Sequence, residues 1–117
     1  MDEKELKDRT KEFAHRCIKL SLSLSKVQLG NHIAGQLIRC STSAAANDRA
    51  SCLAQSKASF ISKLSIVLEE TDETAFWLEF IIDESLLKSD QVMPLQKEAQ
   101  ELTAIFFSSR KTARENK

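Results

Sequence analysis

The apolar residues of this chain recur at alternating steps of four and three positions in four separate segments. Residues spaced in this way lie on one side of an α-helix, because the helix turns once in about 3.6 residues. The first stripe predicts a helix over about residues 5–24, with lysines, arginines and Glu12 on its other side. Its members are Leu6, Thr10, Phe13, Cys17, Leu20 and Leu24.

The second segment predicts a helix over about residues 29–54. Its centre, RCSTSAAAND, is rich in small residues, which permit a neighbouring helix to approach closely. Gly30 and Gly35 are expected to weaken its first turns only modestly, by about 1 kcal/mol each relative to alanine. The stripe of this segment consists of Ile33, Leu37, Cys40, Ala44 and Asn47.

The third segment predicts a helix over about residues 57–87, with Ser56 in position to cap its first turn. Phe76, Trp77 and Phe80 lie outside its narrow stripe, so this helix has apolar surface on more than one side. Aromatic rings can stack on the bases of single strands, but at helical spacing they are more often core or interface anchors. We therefore predict that these three residues form an oligomer interface. The stripe itself contains Phe60, Leu64, Val67, Thr71, Thr74, Leu78 and Ile81.

The fourth segment predicts a helix over about residues 92–113, after a break at residues 88–90. Asp90 or a neighbour is expected to cap this helix, and Pro94 fits its first turn. Its stripe consists of Leu95, Ala99, Leu102, Phe106 and Ser109.

Short connections between long helices make sequential neighbours antiparallel. The junction near Gln55 contains neither glycine nor proline, so the second and third helices can also be read as one continuous helix. A bundle requires a turn at residues 54–57. The sequence thus predicts one domain over residues 1–117, an all-α, antiparallel, up-and-down four-helix bundle.

Composition supports helix throughout and argues against a strongly charged molecule. Two glycines, one proline and no tyrosine are too few turn-forming residues for a β-rich fold of this length. The 17 basic and 17 acidic residues cancel, so no basic field surrounds the whole molecule. Residues 59–90, however, carry two basic and eight acidic side chains, which makes the third helix acidic and the rest of the chain net basic.

No pattern of catalytic or metal-binding residues stands out. No two of the three cysteines, at positions 17, 40 and 52, have the spacing of a zinc site, and an odd number argues against a disulfide framework. A di-metal bundle site needs Glu-x-x-His motifs on two facing helices, and no such pair of motifs occurs. We expect no enzyme, no metal and no cofactor. The charged amino terminus is not a signal peptide and no stretch is apolar enough to span a membrane, so we expect a cytoplasmic protein.

Three stretches of the sequence resemble a known family. They are LKDRTKEFAHRCIKL, GNHIAGQLIRCSTSAAANDRA and SKASFISKLSIVLEETDETAFWLEFI. The most specific parts are Arg39-Cys40-Ser41 followed by residues 43–47, and the stretch from Phe60 to Leu78. Over about residues 5–113 the chain resembles the bacterial four-helix bundle proteins encoded in intervening sequences of 23S rRNA genes.

The resemblance implies an up-and-down bundle that assembles into a ring-like homopentamer, as several family members do. A related branch supplies the accessory variability determinant of diversity-generating retroelements, which binds nucleic acid and works beside a reverse transcriptase. That branch is strongly basic, whereas this chain is neutral. The resemblance therefore implies fold and assembly more directly than it implies the retroelement role.

Basic residues outside the third helix are the candidates for binding nucleic acid, because cations neutralise phosphates. They are Lys7, Arg9, Lys11, Arg16, Lys19, Arg39, Arg49, Arg110, Lys111 and Arg114. The neutral net charge favours another interpretation, in which acidic and basic helices pair across the bundle or between subunits.

Arg39 and Arg49 lie among small and apolar residues of the second helix, where a charged group needs a partner. The carboxylates of Glu69, Glu70 and Glu73 are the expected partners of Arg39. In the alternative, Arg39 and Arg49 face a pentamer pore or a nucleic-acid groove.

The sequence therefore predicts a non-enzymatic oligomeric bundle with RNA or other nucleic acid as its candidate partner. The alternative is a protein-interaction scaffold or accessory subunit. In that function, the acidic third helix would dock a basic partner such as a reverse transcriptase.

Overall fold

The computed structural model describes residues 1–116 and contains four α-helices and no β-strand in that range. Helix α1 spans Glu3–Leu22, α2 spans Gln28–Ser51, α3 spans Lys57–Asp83 and α4 spans Ser89–Glu115. The predicted all-α architecture of four helices is confirmed. No helix in the described part of the chain is long and apolar enough to cross a membrane.

Side-chain contacts show that successive helices run in opposite directions. The hydroxyl of Thr10, near the start of α1, lies 3.1 Å from the carboxylate of Asp48, near the end of α2. In the same way Ser65, near the start of α3, lies 3.4 Å from the guanidinium of Arg110, near the end of α4. Helices α2 and α3 pack together and are joined by the short connection of residues 52–56. The bundle measures 49 × 20 × 19 Å, and α1 meets α4 over a smaller surface than the other adjacent pairs share.

The core is built mainly from the stripes that the sequence predicted. In α4 it also includes Val92, which the predicted stripe left out, whereas Ser109 of that stripe is only half-buried. Burial of each large apolar side chain in the core contributes about 1.5–3 kcal/mol. The largest apolar side chains that are at most 1% exposed are Phe13, Ile33, Leu37, Leu78, Ile81, Leu102 and Phe106. Two polar members of the α3 stripe, Thr71 and Thr74, are fully buried. Their hydroxyl groups lie 3.1 Å and 2.7 Å from backbone carbonyls of the preceding turn, which removes most of the cost of burying them.

The α2 stripe departs from its prediction at one position. Asn47, which the sequence assigned to the stripe, is only half-buried and donates to the carbonyl of Ser43 at 2.9 Å. The core instead receives Asp48, which is 4% exposed and accepts a hydrogen bond from Thr10. A carboxylate is tolerated in this stripe because a hydroxyl on α1 reaches it.

The junction between α2 and α3 contains the turn that a bundle requires. Helix α2 ends at Ser51, three residues before its predicted end. Ser56 caps α3 as expected, because its side chain accepts a hydrogen bond from the backbone N–H of Ser59 at 3.0 Å.

Helix α3 ends at Asp83 rather than at the predicted residue 87. Ser85 has a positive φ of 53°, and its N–H bonds the carbonyl of Ile82 at 3.0 Å. The N–H of Leu86 bonds the carbonyl of Ile81 at 3.0 Å, which completes a Schellman motif. Glycine usually occupies the left-handed position of this motif, so a serine there left no signal in the sequence.

Helix α4 begins at Ser89, three residues before its predicted start. Lys88 is the N-cap residue and makes no side-chain capping bond, so Asp90 does not cap the helix. The expectation that Pro94 lies in the first turn was wrong, because Pro94 is the sixth residue of α4. Pro94 lacks the N–H that would bond the carbonyl of Asp90, and its exposed position leaves that carbonyl to solvent.

Candidate nucleic-acid interface

A basic groove lies between α1 and α2, in the half of the bundle that contains both chain termini. Lys7 and Lys11 border it on α1, and Arg49 borders it on α2. The small side chains of Ala45 and Ala46 line it as well, and its volume is about 380 Å³. We call this site the α1–α2 groove.

The groove is net positive because its one carboxylate already has a partner. Asp8 also lines it, and the carboxylate of Asp8 bonds the Nζ of Lys4 at 2.8 Å on the exposed side of α1. Lys7 and Lys11 are one turn apart and therefore lie on the same face of α1. Arg49 makes no ion pair with any residue that the structure describes. Three cations around a surface of small residues can bind the negatively charged phosphate backbone of a nucleic acid.

A buried carboxylate lies behind this groove, and sequence analysis did not identify it. Burial raises the pKa of Asp48, while the hydrogen bond from Thr10 and the nearby charge of Lys7 act in the opposite direction. The signal that could have found Asp48 is the step of four from Ala44, which keeps it on the stripe.

Arg9, one of the predicted nucleic-acid-binding residues, is occupied by two carboxylates of α4. Its Nε and Nη2 donate to Glu98 at 2.8 and 2.6 Å, and Nη2 also donates to Glu101 at 2.9 Å. The hydrogen bond with Glu98 raises the pKa of Arg9 despite the burial of the guanidinium. Two negative charges surround this one cation, so Arg9 offers no free charge to phosphate and instead joins α1 to α4.

Arg39 is likewise paired, on the opposite side of the bundle. Its Nη1 donates to Glu70 at 3.0 Å and its Nη2 donates to Glu73. Glu69, the third expected partner, is exposed and takes no part in the ion pairs of residues 1–116. Burial opposes ionisation of Glu73, but hydrogen bonds from Trp77 and Arg39 outweigh it and lower the pKa of this carboxyl. The pairing that the sequence favoured for Arg39 is therefore present.

The remaining predicted cations occupy separate places. Arg16 and Lys19 are exposed on the carboxyl-terminal half of α1. Arg110, Lys111 and Arg114 lie near the end of α4, where the Arg110 guanidinium is 6.0 Å from the centre of the Phe107 ring. Sequence analysis did not single out Phe107, which lies outside the apolar, core-facing positions of α4. The ten candidates therefore divide into the α1–α2 groove, a group on α4, two exposed residues of α1 and two arginines held by carboxylates.

The predicted oligomer-interface residues form one aromatic surface on α3, made of Phe76, Trp77 and Phe80. The Phe76 ring packs edge-on against Trp77 and Phe80, with centroid distances of 5.1 and 5.0 Å. Phe76 is 47% exposed and Phe80 is 37% exposed. His32 of α2 adds a fourth ring, 5.4 Å from Trp77. Acidic residues of α3 surround this surface, at positions 69, 72, 73, 79 and 83.

The thiols and carboxylates of residues 1–116 form no disulfide and no cluster that could hold a metal ion. All three cysteines are free, and burial raises the pKa of Cys17 to about 12. No group of three or more His, Cys, Asp or Glu side chains in this range is placed to hold a metal ion.

Comparisons with known proteins agree with this architecture. The family model described as 23S rRNA-intervening sequence protein matches residues 3–108. A solved structure of a protein of unknown function from the S23 ribosomal protein family of Bacteroides thetaiotaomicron is 34% identical, with a TM-score of 0.86. The alignment covers 95% of this chain and 99% of that one. No curated protein matches the sequence. The chain therefore belongs to the 23S rRNA-intervening sequence protein family.

Proposed function

We propose that this protein is a non-enzymatic, oligomeric bundle that binds structured RNA or another nucleic acid. The observation that carries the proposal is the α1–α2 groove, where Lys7, Lys11 and Arg49 converge around two alanines. The one carboxylate that lines the groove, Asp8, is paired with Lys4. A phosphate backbone is a regular row of negative charges, and lysine and arginine neutralise it with release of counterions. The proposal places the protein in the cytoplasm, where free thiols stay reduced.

The two paired arginines refine the list of ten candidates. Binding of phosphate by Arg9 or Arg39 would require breaking bonds to two carboxylates in each case. Each carboxylate would then lose its cation and repel the incoming phosphate. We therefore assign Arg9 and Arg39 to the bundle, and phosphate binding to the groove cations.

Removal of the groove charges is expected to weaken nucleic-acid binding. The variant K7Q/K11Q/R49Q should bind an RNA hairpin with a single-stranded extension at least about tenfold more weakly at low salt. The slope of log affinity against log salt should also fall by about 2–3, because three phosphate contacts are lost and each removes about 0.7–0.9. Fluorescence anisotropy across a salt series measures both quantities.

Arg9→Gln is the matched control, because it removes one positive charge from the same helix as Lys7 and Lys11. Its RNA affinity should fall clearly less than that of Arg49→Gln, after circular dichroism has shown that the variant is folded. Wild-type protein that does not bind at low salt, or whose binding is insensitive to salt, contradicts the proposed function. An equal loss of affinity in Arg9→Gln and Arg49→Gln rejects the groove as the site.

We further propose that the functional unit is a ring-like homo-oligomer, by resemblance a pentamer, assembled through the aromatic surface. Its support is the exposure of Phe76 and Phe80 beside Trp77, since soluble monomers rarely expose clustered large rings. Light scattering should give a mass several times that of the 13.2 kDa chain. A monomer at micromolar concentration would rule the ring out.

A protein-interaction scaffold is the second candidate function, favoured by the carboxylates that surround the aromatic surface. A basic partner, such as a reverse transcriptase, would meet complementary charge there. The test is recovery of a purified partner by wild-type protein and by E69K/E70K/E73K. Because Glu70 and Glu73 hold Arg39, the variant must first be shown to fold, and unchanged recovery by a folded variant would count against docking on α3.

A further inference from the structure

Phe107 is a large apolar residue that the fold leaves in solvent among cations. Its side chain is 55% exposed, whereas the preceding residue, Phe106, has no solvent contact. Phe76 and Phe80 pack against each other and against Trp77, but Phe107 contacts no other ring in residues 1–116. Packing within the chain therefore leaves one face of this ring uncovered.

The neighbours of Phe107 on α4 are basic. Arg110, Lys111 and Arg114 follow it at steps of three, four and seven residues, so the four side chains share one face of the helix. We call this set the α4 stripe. At 1.5 Å per residue it extends about 10 Å along the helix axis. It therefore combines an exposed ring with three positive charges within roughly two turns.

Contacts with α3 hold the stripe in position and add no negative charge. The Arg110 guanidinium lies 6.0 Å from the centre of the Phe107 ring and donates to the hydroxyl of Ser65 at 3.4 Å. The segment of α3 beside this end of α4, residues 57–68, contains two lysines and no acidic residue. The acidic part of α3 begins only at Glu69, so α3 places no carboxylate beside the stripe. The carboxylates of α1 and α4 at this end of the bundle, Asp2, Glu3 and Glu115, belong to solvent-exposed residues.

We infer that the α4 stripe binds unpaired nucleotides, with a base stacked on the ring of Phe107 and the flanking phosphates on Arg110, Lys111 and Arg114. Rings among cations bind single strands in this way, because every base has a face to stack and every nucleotide carries a phosphate. Bases inside a duplex are already stacked on each other, so the ring discriminates in favour of single strands. The inference rests on the proposed function and deepens it. The groove accepts phosphate from any nucleic acid, while the stripe recognises unpaired bases.

Two substitutions of Phe107 separate stacking from apolar contact. Phe107→Leu keeps an apolar side chain but removes the aromatic face, and we expect it to weaken binding of a single-stranded oligouridylate about tenfold. Phe107→Trp offers a larger face and should bind that strand at least as tightly as the wild type. Neither change should alter affinity for a blunt-ended RNA duplex, which the groove cations bind. Fluorescence anisotropy with both labelled probes gives the comparison.

Met93→Ala is the matched control, since Met93 is 53% exposed on the same helix and lies outside the stripe. It should change neither affinity. Equal single-strand affinity in wild-type and Phe107→Leu protein overturns the inference and leaves the groove proposal intact. Failure of the wild type to bind either probe overturns the proposed function itself. A lower oligomer mass of Phe107→Leu in light scattering would identify the ring as a subunit contact and also reject the inference.

Discussion

Gly30→Ala is expected to destabilise the bundle by about 3 kcal/mol, the upper end of what overpacking costs. Gly30 is buried in the first turn of α2, where a Cβ would collide with the carbonyl oxygen of Ser25 and lie 3.2 Å from its carbonyl carbon. The same carbonyl accepts a hydrogen bond from Val27 at 2.9 Å in the connection between α1 and α2. Because the obstructing atoms belong to the backbone, no side-chain rotation relieves the clash.

Gly35→Ala supplies the matched comparison, and its expected effect has the opposite sign. No atom lies within 4 Å of a Cβ added at Gly35, which is exposed on the same helix. Alanine should therefore raise the free energy of unfolding by about 1 kcal/mol through helix propensity alone. Urea unfolding followed by circular dichroism measures both variants. Stabilisation by alanine at both glycines would show that the connection does not approach α2 as closely as described.

Asp48→Asn is expected to stabilise the protein by about 1–2 kcal/mol at neutral pH, the cost of an incompletely compensated buried polar group. Asp48 is 4% exposed, and within residues 1–116 its carboxylate accepts one hydrogen bond, from Thr10. Burial raises its folded-state pKa above the ordinary value of 3.8. Ionisation is therefore less favourable in the folded chain than in the unfolded chain, and the asparagine removes that penalty.

The pH dependence follows from the direction of this shift. The favourable contribution of Asp48 is complete below its unfolded pKa and is lost as pH rises through the raised folded pKa. The advantage of Asp48→Asn should be small near pH ~4, grow as pH rises and level off above the raised pKa. Urea unfolding across this range measures the difference. Asp72→Asn, on the exposed face of α3, is the control, and an identical profile for both variants would contradict the burial of Asp48.

Much of the fold could be predicted because the apolar positions that define each helix recur with a regular period within a short segment of sequence. The stripes on four segments identified the core and the helix number, since burial of a face requires that periodicity. Helix ends were less predictable because they depend on particular backbone geometry. Ser85 adopts a left-handed conformation that glycine usually marks, and Pro94 lies beyond the first turn where proline is usual. At neither position does the residue type indicate where the helix ends or begins.

The candidate site was only partly predictable. Helical spacing reveals which residues share a face, but it does not reveal which residues of the other helices contact that face. The partners of Arg39 could be expected because α2 and α3 are consecutive and the acidic residues of α3 are clustered. The partners of Arg9 are distant in sequence, on α4, and nothing near Arg9 points to them. Phe107 was missed for a similar reason, since its importance depends on the acid-free part of α3 beside it.

The position of Trp77 allows subunit assembly to be followed by the protein's intrinsic fluorescence. It is the chain's single tryptophan, and there is no tyrosine, so indole emission comes from the surface between α2 and α3 alone. If another subunit covers that surface, water leaves the indole and its emission shifts to the blue. RNA bound to the α1–α2 groove or the α4 stripe lies in the other half of the bundle and should leave the emission maximum unchanged. Emission spectra recorded during dilution and during titration with RNA therefore distinguish subunit assembly from nucleic-acid binding.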